Sequence, residues 1–413
     1  MKRNHLSKRI LSLLSLLLLC AVAVHLVGCA AGTATDLMEG VTPRSVTALA
    51  DLDDGKEAVT DFALRLFTAA NEGEENTALS PLSVLCLLSM VANGARGETL
   101  AQMEEAFGMT KDEMNLYLYS YVNSLPQKKP SYTLNVANSL WLSEGSVKSD
   151  FLQANADYHG AGIFRAPMNE ETRTRINDWV KEKTEGMIPT LLDEISEDAR
   201  LYLVNALAFE AVWQNQYDAD LVLDGTFTKE DGTTLAAQLM HSTEEKFLQS
   251  ENATGFLKYY AGEKYAFVAL LPEEGTSVAD MLSSLDGAAL QALLASAEDR
   301  PVKAAIPKFE SEYETDLAAV LAKLGITAAF DPAADFSGIA DGSLYISRSL
   351  HKTVIKVGER GTGAAAAGYF QMECILTEEP EAKTVILDRP FAYLLIDCEA
   401  NIPFFIGTVM TVE

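Results

Sequence analysis

Residues 359–370 read Glu-Arg-Gly-Thr-Gly-Ala-Ala-Ala-Ala-Gly-Tyr-Phe, a run of small residues with strand-like sequence on both sides. Before the run, residues 353–357 alternate in the manner of a half-buried strand. After it, residues 385–387 and 391–396 are further strand candidates. The run therefore lies in a long connection near the C-terminus, and connections of this length inside a compact domain are usually functional or disordered.

The spacing of the small residues allows two interpretations. On a β-strand, alternate side chains share a face, so Thr362, Ala364, Ala366 and Gly368 would all point the same way. No bulky or charged group on that face would resist burial between two existing strands. Gly and Ala are also common in flexible linkers, so a linker and an inserting strand are both open at this point.

The length and charge of the chain limit its class. With 413 residues, 48% of them hydrophobic, the chain can bury a large core. It carries 32 Lys and Arg against 59 Asp and Glu, a net charge of −27, which argues against nucleic acid and anionic lipid surfaces as partners. The acidity is also typical of a protein that is simply very soluble.

The N-terminus is typical of a secretion signal, with basic residues followed by an apolar run over residues 10–24. The run ends in Leu-Val-Gly-Cys, which resembles a bacterial lipobox, so residues 1–28 are predicted to be a lipoprotein signal peptide and Cys29 to carry lipid. The alternative is an ordinary signal peptide. The chain is expected outside the cytoplasmic membrane, lipid-anchored at the cell surface or the outer face of a membrane, with residues 29–55 as a flexible tether.

The remaining cysteines, Cys86, Cys374 and Cys398, are far apart and form no CxxC pair. This spacing predicts neither a disulfide framework nor a zinc site, and no cofactor is expected.

The order of predicted elements indicates the fold class. Ser80 suits the N-cap of a helix with Pro81 at its first position, and an amphipathic helix over residues 98–107 ends at Gly108. Helices concentrate early and strands late, without regular β-α-β alternation, which predicts an α+β fold with mainly antiparallel sheets. Neither an internal repeat nor a compositional break follows residue 56, so residues 56–413 are predicted to be one domain.

From about residue 56 to its end the chain resembles a serpin. The segments that carry the resemblance, in order, are residues 76–97, 134–141, 176–192, 204–213, 307–309, 334–339 (Ala-Asp-Phe-Ser-Gly-Ile), 350–352 (Leu-His-Lys), 388–391 (Asp-Arg-Pro-Phe) and 403–409. The resemblance implies three sheets, about nine helices and an exposed reactive-centre loop. It further implies an irreversible suicide-substrate inhibitor of serine proteases, not an enzyme, whose cleaved loop inserts into the main sheet.

In that mechanism, the small-residue run is the hinge of the loop. The predicted hinge residues are Glu359, Gly361, Thr362, Gly363, Ala364, Ala365, Ala366 and Ala367. The bond that such a loop offers to a protease usually lies fourteen residues after the first hinge Gly, which gives Ile375 with Leu376 following. No Lys or Arg lies between Gly361 and Lys383, which favours an elastase-like, chymotrypsin-like or subtilisin-like protease over a trypsin-like one.

The cleavage position and the kind of protease both have alternatives. Cleavage at Cys374 or Leu376 is open, because residues 375–390 are a few residues longer than in many serpins. Cys374 also allows a cysteine protease as target, or oxidation, besides the simpler interpretation that it is a tolerated loop residue.

Other positions are assigned by the resemblance alone. Ser80, Ser83, Asn205 and His351 match a polar cluster beneath the main sheet, where strands must part. Trp213 matches the tryptophan where insertion begins. The chain departs from the family pattern at four positions near the hinge, which are Arg360, Gly363, Glu210 and Ala211.

Two other functions compete with the inhibitor. One is a non-inhibitory serpin that acts as a binding or chaperone-like module. The other is a hydrolase that uses His351 with a Ser and an Asp, although the sequence has no Gly-x-Ser-x-Gly motif. The protein is expected to be a monomer that meets a membrane only through its N-terminal lipid.

Overall fold

The computed structural model describes residues 34–73, 75–125, 128–143, 145–363 and 381–412. The predictions for Cys29, Ala364–Ala367, Cys374, Ile375 and Leu376 fall outside these residues. Within them, the helices are α1 (Asp53–Ala70), α2 (Pro81–Ala92), α3 (Gly97–Phe107), α4 (Lys111–Ser124), α5 (Ser149–Tyr158), α6 (Glu170–Lys183), α7 (Val278–Ser283), α8 (Gly287–Ala295) and α9 (Leu317–Lys323).

The same residues contain seventeen strands. They are β1 (Thr35–Asp36), β2 (Ala78–Leu79), β3 (Lys128–Lys129), β4 (Tyr132–Leu142), β5 (Gly162–Arg165), β6 (Leu201–Val212), β7 (Val222–Thr228), β8 (Thr234–Gln249), β9 (Ala253–Tyr259), β10 (Tyr265–Pro272), β11 (Glu298–Pro307), β12 (Phe309–Asp316), β13 (Arg348–Gly358), β14 (Gly361–Thr362), β15 (Lys383–Ile386), β16 (Phe391–Asp397) and β17 (Ile402–Val409).

Helix α2 lies at the centre of the domain. Its N-cap is Ser80, whose hydroxyl accepts a hydrogen bond from the Ser83 N–H at 3.3 Å, and Pro81 occupies the first helical position, as predicted. Every residue of α2 is buried, because its sequence is apolar on nearly all sides. α3 ends, also as predicted, at Gly108, which adopts a left-handed conformation.

The main sheet has eight strands in the order β1-β5-β4-β6-β14-β13-β12, with β3 paired to β4. β4 and β6 are antiparallel along their whole length. β6 and β13 are parallel, and residues 202–207 pair directly with residues 348–353. We call the end of this sheet where β6 finishes, at Val212, the upper end, and the end where β6 begins, at Leu201, the lower end.

The second sheet has nine strands in the order β15-β11-β8-β9-β10-β16-β17-β2, with β7 paired to β8. The three sheets implied by the resemblance form two hydrogen-bonded networks, because the long strand β8 pairs with β7 and β11 first and with β9 at its end. The α+β class, the predominance of antiparallel pairs and the number of helices among the described residues confirm the prediction. In that part of the chain, every helix is too short or too polar to cross a bilayer.

Residues 34–52 differ from the prediction, which made them part of a flexible tether. Thr35 and Asp36 form β1 at the edge of the main sheet, where they pair with Arg165 and Phe164 of β5. Further along, the Arg44 guanidinium binds the buried Asp157 carboxylate with N–O distances of 2.8 and 2.6 Å. This segment therefore lies along the domain, because it has paired strand residues and an ion pair to a buried carboxylate that sequence composition does not reveal.

Candidate functional site

The strands at the centre of the main sheet part at its upper end, and the hinge begins between them. Gly361 pairs with Val212 of β6 on one side and with Gly358 of β13 on the other. Thr362 pairs in the same way with Ala211 and Val357. The first Gly and Thr of the predicted hinge thus already form a short strand, β14, inside the sheet, in a position that we call the hinge gap.

Gly361 is required at its position by a close approach of backbones. A Cβ atom there would lie 1.9 Å from the Ala211 carbonyl oxygen, well inside van der Waals contact, and φ is +155°. Any side chain at Gly361 would therefore push the hinge out of the gap.

Gly363 and Glu210, two of the departures from the family pattern, contact each other. A Cβ atom at Gly363 would lie 2.5 Å from Cγ of Glu210, and the φ of Gly363 is +85°, in the left-handed region. The Glu210 side chain thus occupies space that a larger residue at 363 would need, which gives these two departures a common physical explanation.

The roof of the hinge gap is formed by Trp213, whose side chain is almost fully buried. Its backbone N–H donates to the Arg360 carbonyl at 2.8 Å and its indole N–H donates to the Gly358 carbonyl at 2.9 Å. Its ring stacks on Tyr260, with centroids 4.4 Å apart. The Tyr260 hydroxyl in turn lies 2.5 Å from the Thr362 hydroxyl. Trp213, which the resemblance assigned to this region, thus binds the chain on either side of Glu359, just before Gly361.

A buried ion pair supports this roof. Lys258 Nζ lies 2.8 Å from Glu244 Oε1, and both side chains are almost inaccessible to solvent. The same ammonium lies 4.2 Å from the centroid of the Tyr217 ring and 5.4 Å from that of Trp213, distances at which a cation is attracted to an aromatic face. Lys258, Glu244 and Tyr260 are not predicted from the sequence, because their partners lie on other strands and no local pattern indicates them.

Glu359 and Arg360 lie at the base of the hinge, and their side chains have different surroundings. The Glu359 carboxylate forms an ion pair with Lys308, and the hydrogen bond from Lys308 lowers the pKa of Glu359. The Glu359 carbonyl accepts a hydrogen bond from the Tyr217 N–H at 3.0 Å. The Arg360 side chain is exposed, so this departure from the family pattern buries no charge in the gap.

The structure brings the four residues of the predicted polar cluster together below the hinge gap. His351 and Asn205 are directly opposite each other on β13 and β6. The His351 Nδ1–H donates to Asn205 Oδ1, and Nε2 accepts from the Ser80 N–H at 3.2 Å. The Ser83 hydroxyl lies 2.9 Å from the same Asn205 oxygen. The cluster therefore bridges β6 and β13, the two strands on either side of the hinge gap.

His351 has the wrong surroundings for a catalytic base. It is fully buried, and desolvation lowers its pKa to about 3. Both ring nitrogens contact an amide or a backbone N–H, and the Ser80 hydroxyl donates instead to the Phe404 carbonyl at 3.0 Å. To act as a catalytic base, this imidazole would need the hydroxyl or thiol of a Ser, Thr or Cys nucleophile at one of its ring nitrogens. The geometry therefore disfavours the hydrolase hypothesis.

Comparison with known proteins identifies the class of protein that this fold and gap define. The family model described as Serpin (serine protease inhibitor) matches residues 57–412, so the chain belongs to the serpin family. The chain is 31% identical over 374 residues to Serpin B6 of Macaca fascicularis, covering 85% of this chain and 97% of the relative. Family membership supports protease inhibition in general, although some serpins are not inhibitors.

Two solved structures of the thermophilic serpin tengpin are informative about the state of the chain. The native state superposes with a TM-score of 0.87 at 39% identity, covering 92% of this chain and all of that one. The latent state gives a TM-score of 0.76 at 37% identity, covering 90% of this chain. The chain is therefore more similar to the native structure of tengpin than to its latent structure.

Proposed function

We propose that this protein is an irreversible suicide-substrate inhibitor of serine proteases, which works by loop cleavage and strand insertion. The observation that carries the proposal is β14, the two hinge residues already paired on both sides at the top of the main sheet. A loop that enters the same gap has a register to follow and two strands to pair with.

The physical basis of insertion is the backbone pairing that the loop gains. Each residue that enters between β6 and β13 exchanges solvent contacts for hydrogen bonds within a sheet and buries its small side chain. The side chains on the inserting face, where Thr362 is followed by Ala364 and Ala366, offer little volume or polarity to oppose this. The polar cluster that bridges β6 and β13 has hydroxyl, amide and imidazole groups that can exchange partners as the strands separate.

The proposed target is a serine protease with an elastase-like, chymotrypsin-like or subtilisin-like pocket, cut at or within one residue of the bond between Ile375 and Leu376. The support is compositional, since this part of the loop lacks the Lys or Arg that a trypsin-like pocket selects. Cys374 keeps a cysteine protease as the second candidate.

We also propose that Cys29 carries lipid and holds a monomeric inhibitor at the cell surface or the outer face of a membrane. The support is the sequence Leu-Val-Gly-Cys at the end of the apolar N-terminal run. Metabolic labelling with a radioactive fatty acid tests this proposal, and it should label the natural chain and leave a Cys29→Ser variant unlabelled.

The decisive experiment for inhibition is to mix the protein with an elastase-like and a subtilisin-like protease. We expect a covalent complex that survives boiling in detergent, and mass spectrometry of the released C-terminal peptide should place the cut beside Ile375. A Gly361→Ala variant serves as the matched control, since its loop can be cut but cannot enter the gap cleanly. Rapid turnover of the natural chain with no complex would favour the non-inhibitory binding or chaperone-like module instead.

A further inference from the structure

The N-terminal strand lies at the opposite end of the main sheet from the hinge. Thr35 pairs with Arg165, Arg165 with Leu142, and Leu142 with Leu201, so Thr35 is level with the first residue of β6. Gly361 pairs with Val212, the last residue of β6. At about 3.3 Å per residue, the two levels are separated by about 36 Å along the strand.

The direction of β1 shows where the preceding chain leaves the domain. β1 is antiparallel to β5, β5 is parallel to β4, and β4 is antiparallel to β6. β1 therefore runs towards the upper end, in the same sense as β6, so the chain enters β1 from the lower end. Cys29 is six residues before Thr35 in the sequence, a separation that an extended chain spans in at most about 20 Å.

The exit point is fixed to the domain by more than one contact. Besides the pairing of β1, the Arg44 backbone N–H and guanidinium both bind Asp157, at 2.7 Å and at 2.8 and 2.6 Å. Further along, the Leu49 N–H donates to the Ser120 hydroxyl at 2.9 Å. The N-terminal segment is thus held to the domain at β1, at Arg44 and at Leu49.

From these relationships we infer that the anchored inhibitor holds its hinge on the side away from the membrane and carries a captured protease to the side that faces the membrane. This inference rests on the proposed function, both on lipid at Cys29 and on strand insertion. In this orientation the uncut loop begins at the end of the domain farthest from the lipid. The accessible targets are therefore proteases that reach that end from the solvent.

The observed register gives the destination of the protease. Gly361 lies opposite Val212 and Thr362 opposite Ala211, so continued antiparallel pairing brings residue 372 opposite Leu201. Ile375, the proposed point of attachment, then passes the lower end by three residues. The inserted strand would be four strands from β1, a lateral distance of about 19 Å at the usual strand spacing.

A protease attached at the lower end of the sheet is large enough to reach the bilayer. A compact chain of about 250 residues has a diameter of about 45 Å, which is larger than both the lateral distance to β1 and the reach of the chain before Thr35. We therefore expect the attached protease to lie beside the anchor and to contact the lipid surface.

Energy transfer between a labelled protease and the bilayer tests this inference. The lipidated protein is placed in phosphatidylcholine vesicles that contain a rhodamine-labelled lipid, and the protease carries fluorescein. A protease with its catalytic Ser changed to Ala can dock on the loop without cutting it, and we expect weak transfer. The active protease, once covalently bound, should give strong transfer. Equal transfer in the two states would overturn the inference.

A lengthened tether and a lipid-free chain are the controls. Insertion of a long Gly-Ser segment between Gly32 and Thr33 should preserve the covalent complex and abolish the rise in transfer, because the domain can then move away from the lipid. If a Cys29→Ser variant in solution forms no covalent complex either, inhibition itself fails. If that variant forms the complex but the anchored chain shows no rise in energy transfer, only the inferred orientation of the domain relative to the membrane is wrong.

Discussion

The Tyr260 hydroxyl lies 2.5 Å from the Thr362 hydroxyl and joins the aromatic roof of the main sheet to the first side chain of the face that we propose inserts. Both residues are buried, and 102 positions separate them in the sequence. Since burial raises the pKa of Tyr260 far above its ordinary value, the phenol stays protonated and can donate to Thr362 at any physiological pH. This contact gives the hinge a defined resting position.

Replacing Tyr260 with Phe removes the hydroxyl and keeps the ring that stacks on Trp213. We expect the resting hinge to lose about 1 kcal/mol of stability, the usual contribution of one buried hydrogen bond. Faster hydrogen exchange of the Thr362 N–H should report this loss. A double-mutant cycle with Thr362→Val isolates the contact, and fully additive effects would show that the two hydroxyls do not interact.

Replacing Thr362 with Arg should convert the inhibitor into a substrate. The Thr362 side chain is 1% exposed, so an Arg there would have to bury an unpaired charge or hold the hinge outside the sheet. We expect cleavage of the loop with almost no covalent complex, measured as the number of inhibitor molecules consumed per protease inhibited. Thr362→Ser is the matched control and should inhibit like the natural chain. A Thr362→Arg variant with undiminished inhibition would contradict the insertion model.

Replacing Ala366 with Pro should have the same effect, because it places a residue without an N–H in the inserting strand. Undiminished inhibition by the Ala366→Pro variant would also contradict the insertion model.

Two neighbouring glycines offer a sharper test of the hinge gap. Gly361→Ala places a methyl group against the Ala211 carbonyl, whereas a methyl group at Gly358 would meet no atom within 4 Å. We expect Gly361→Ala to lose most of its covalent complex and Gly358→Ala to retain it. Similar behaviour of the two variants would mean that β14 does not form in solution.

The sequence predicted much of this arrangement because its signals are local. The N-cap at Ser80, the end of α3 at Gly108 and the alternation around Thr353 depend on residues close in the chain, and all three were found where predicted. The polar cluster and Trp213 could be placed only through the resemblance to serpins, since their partners lie on distant segments.

Other features follow from pairing that no local pattern reveals. The ion pair between Lys258 and Glu244 depends on β8 and β9 lying side by side, and a Lys or Glu in a strand usually indicates a solvated face. Residues 34–52 have the composition of a linker, yet the edge of β5 and the buried Asp157 give them partners. The explanation of Gly363 likewise required the position of Glu210 across the gap.

The polar cluster predicts a dependence of stability on pH through His351. In the unfolded chain a His titrates near pH 6.5, whereas burial lowers the pKa of His351 in the folded protein to about 3. Between these values the unfolded chain binds a proton that the folded protein does not, so folding stability is complete above about pH 6.5 and falls as the pH is lowered towards 3, by up to about 1.4 kcal/mol per pH unit.

A His351→Gln variant lacks this group and keeps an amide able to bond Ser80 and Asn205. Urea midpoints measured from pH 7 to pH 4 should therefore fall less steeply for the variant than for the natural chain. Parallel curves would show that His351 takes up a proton in the folded protein over the same pH range as in the unfolded chain, and the buried, neutral cluster described above would then be wrong.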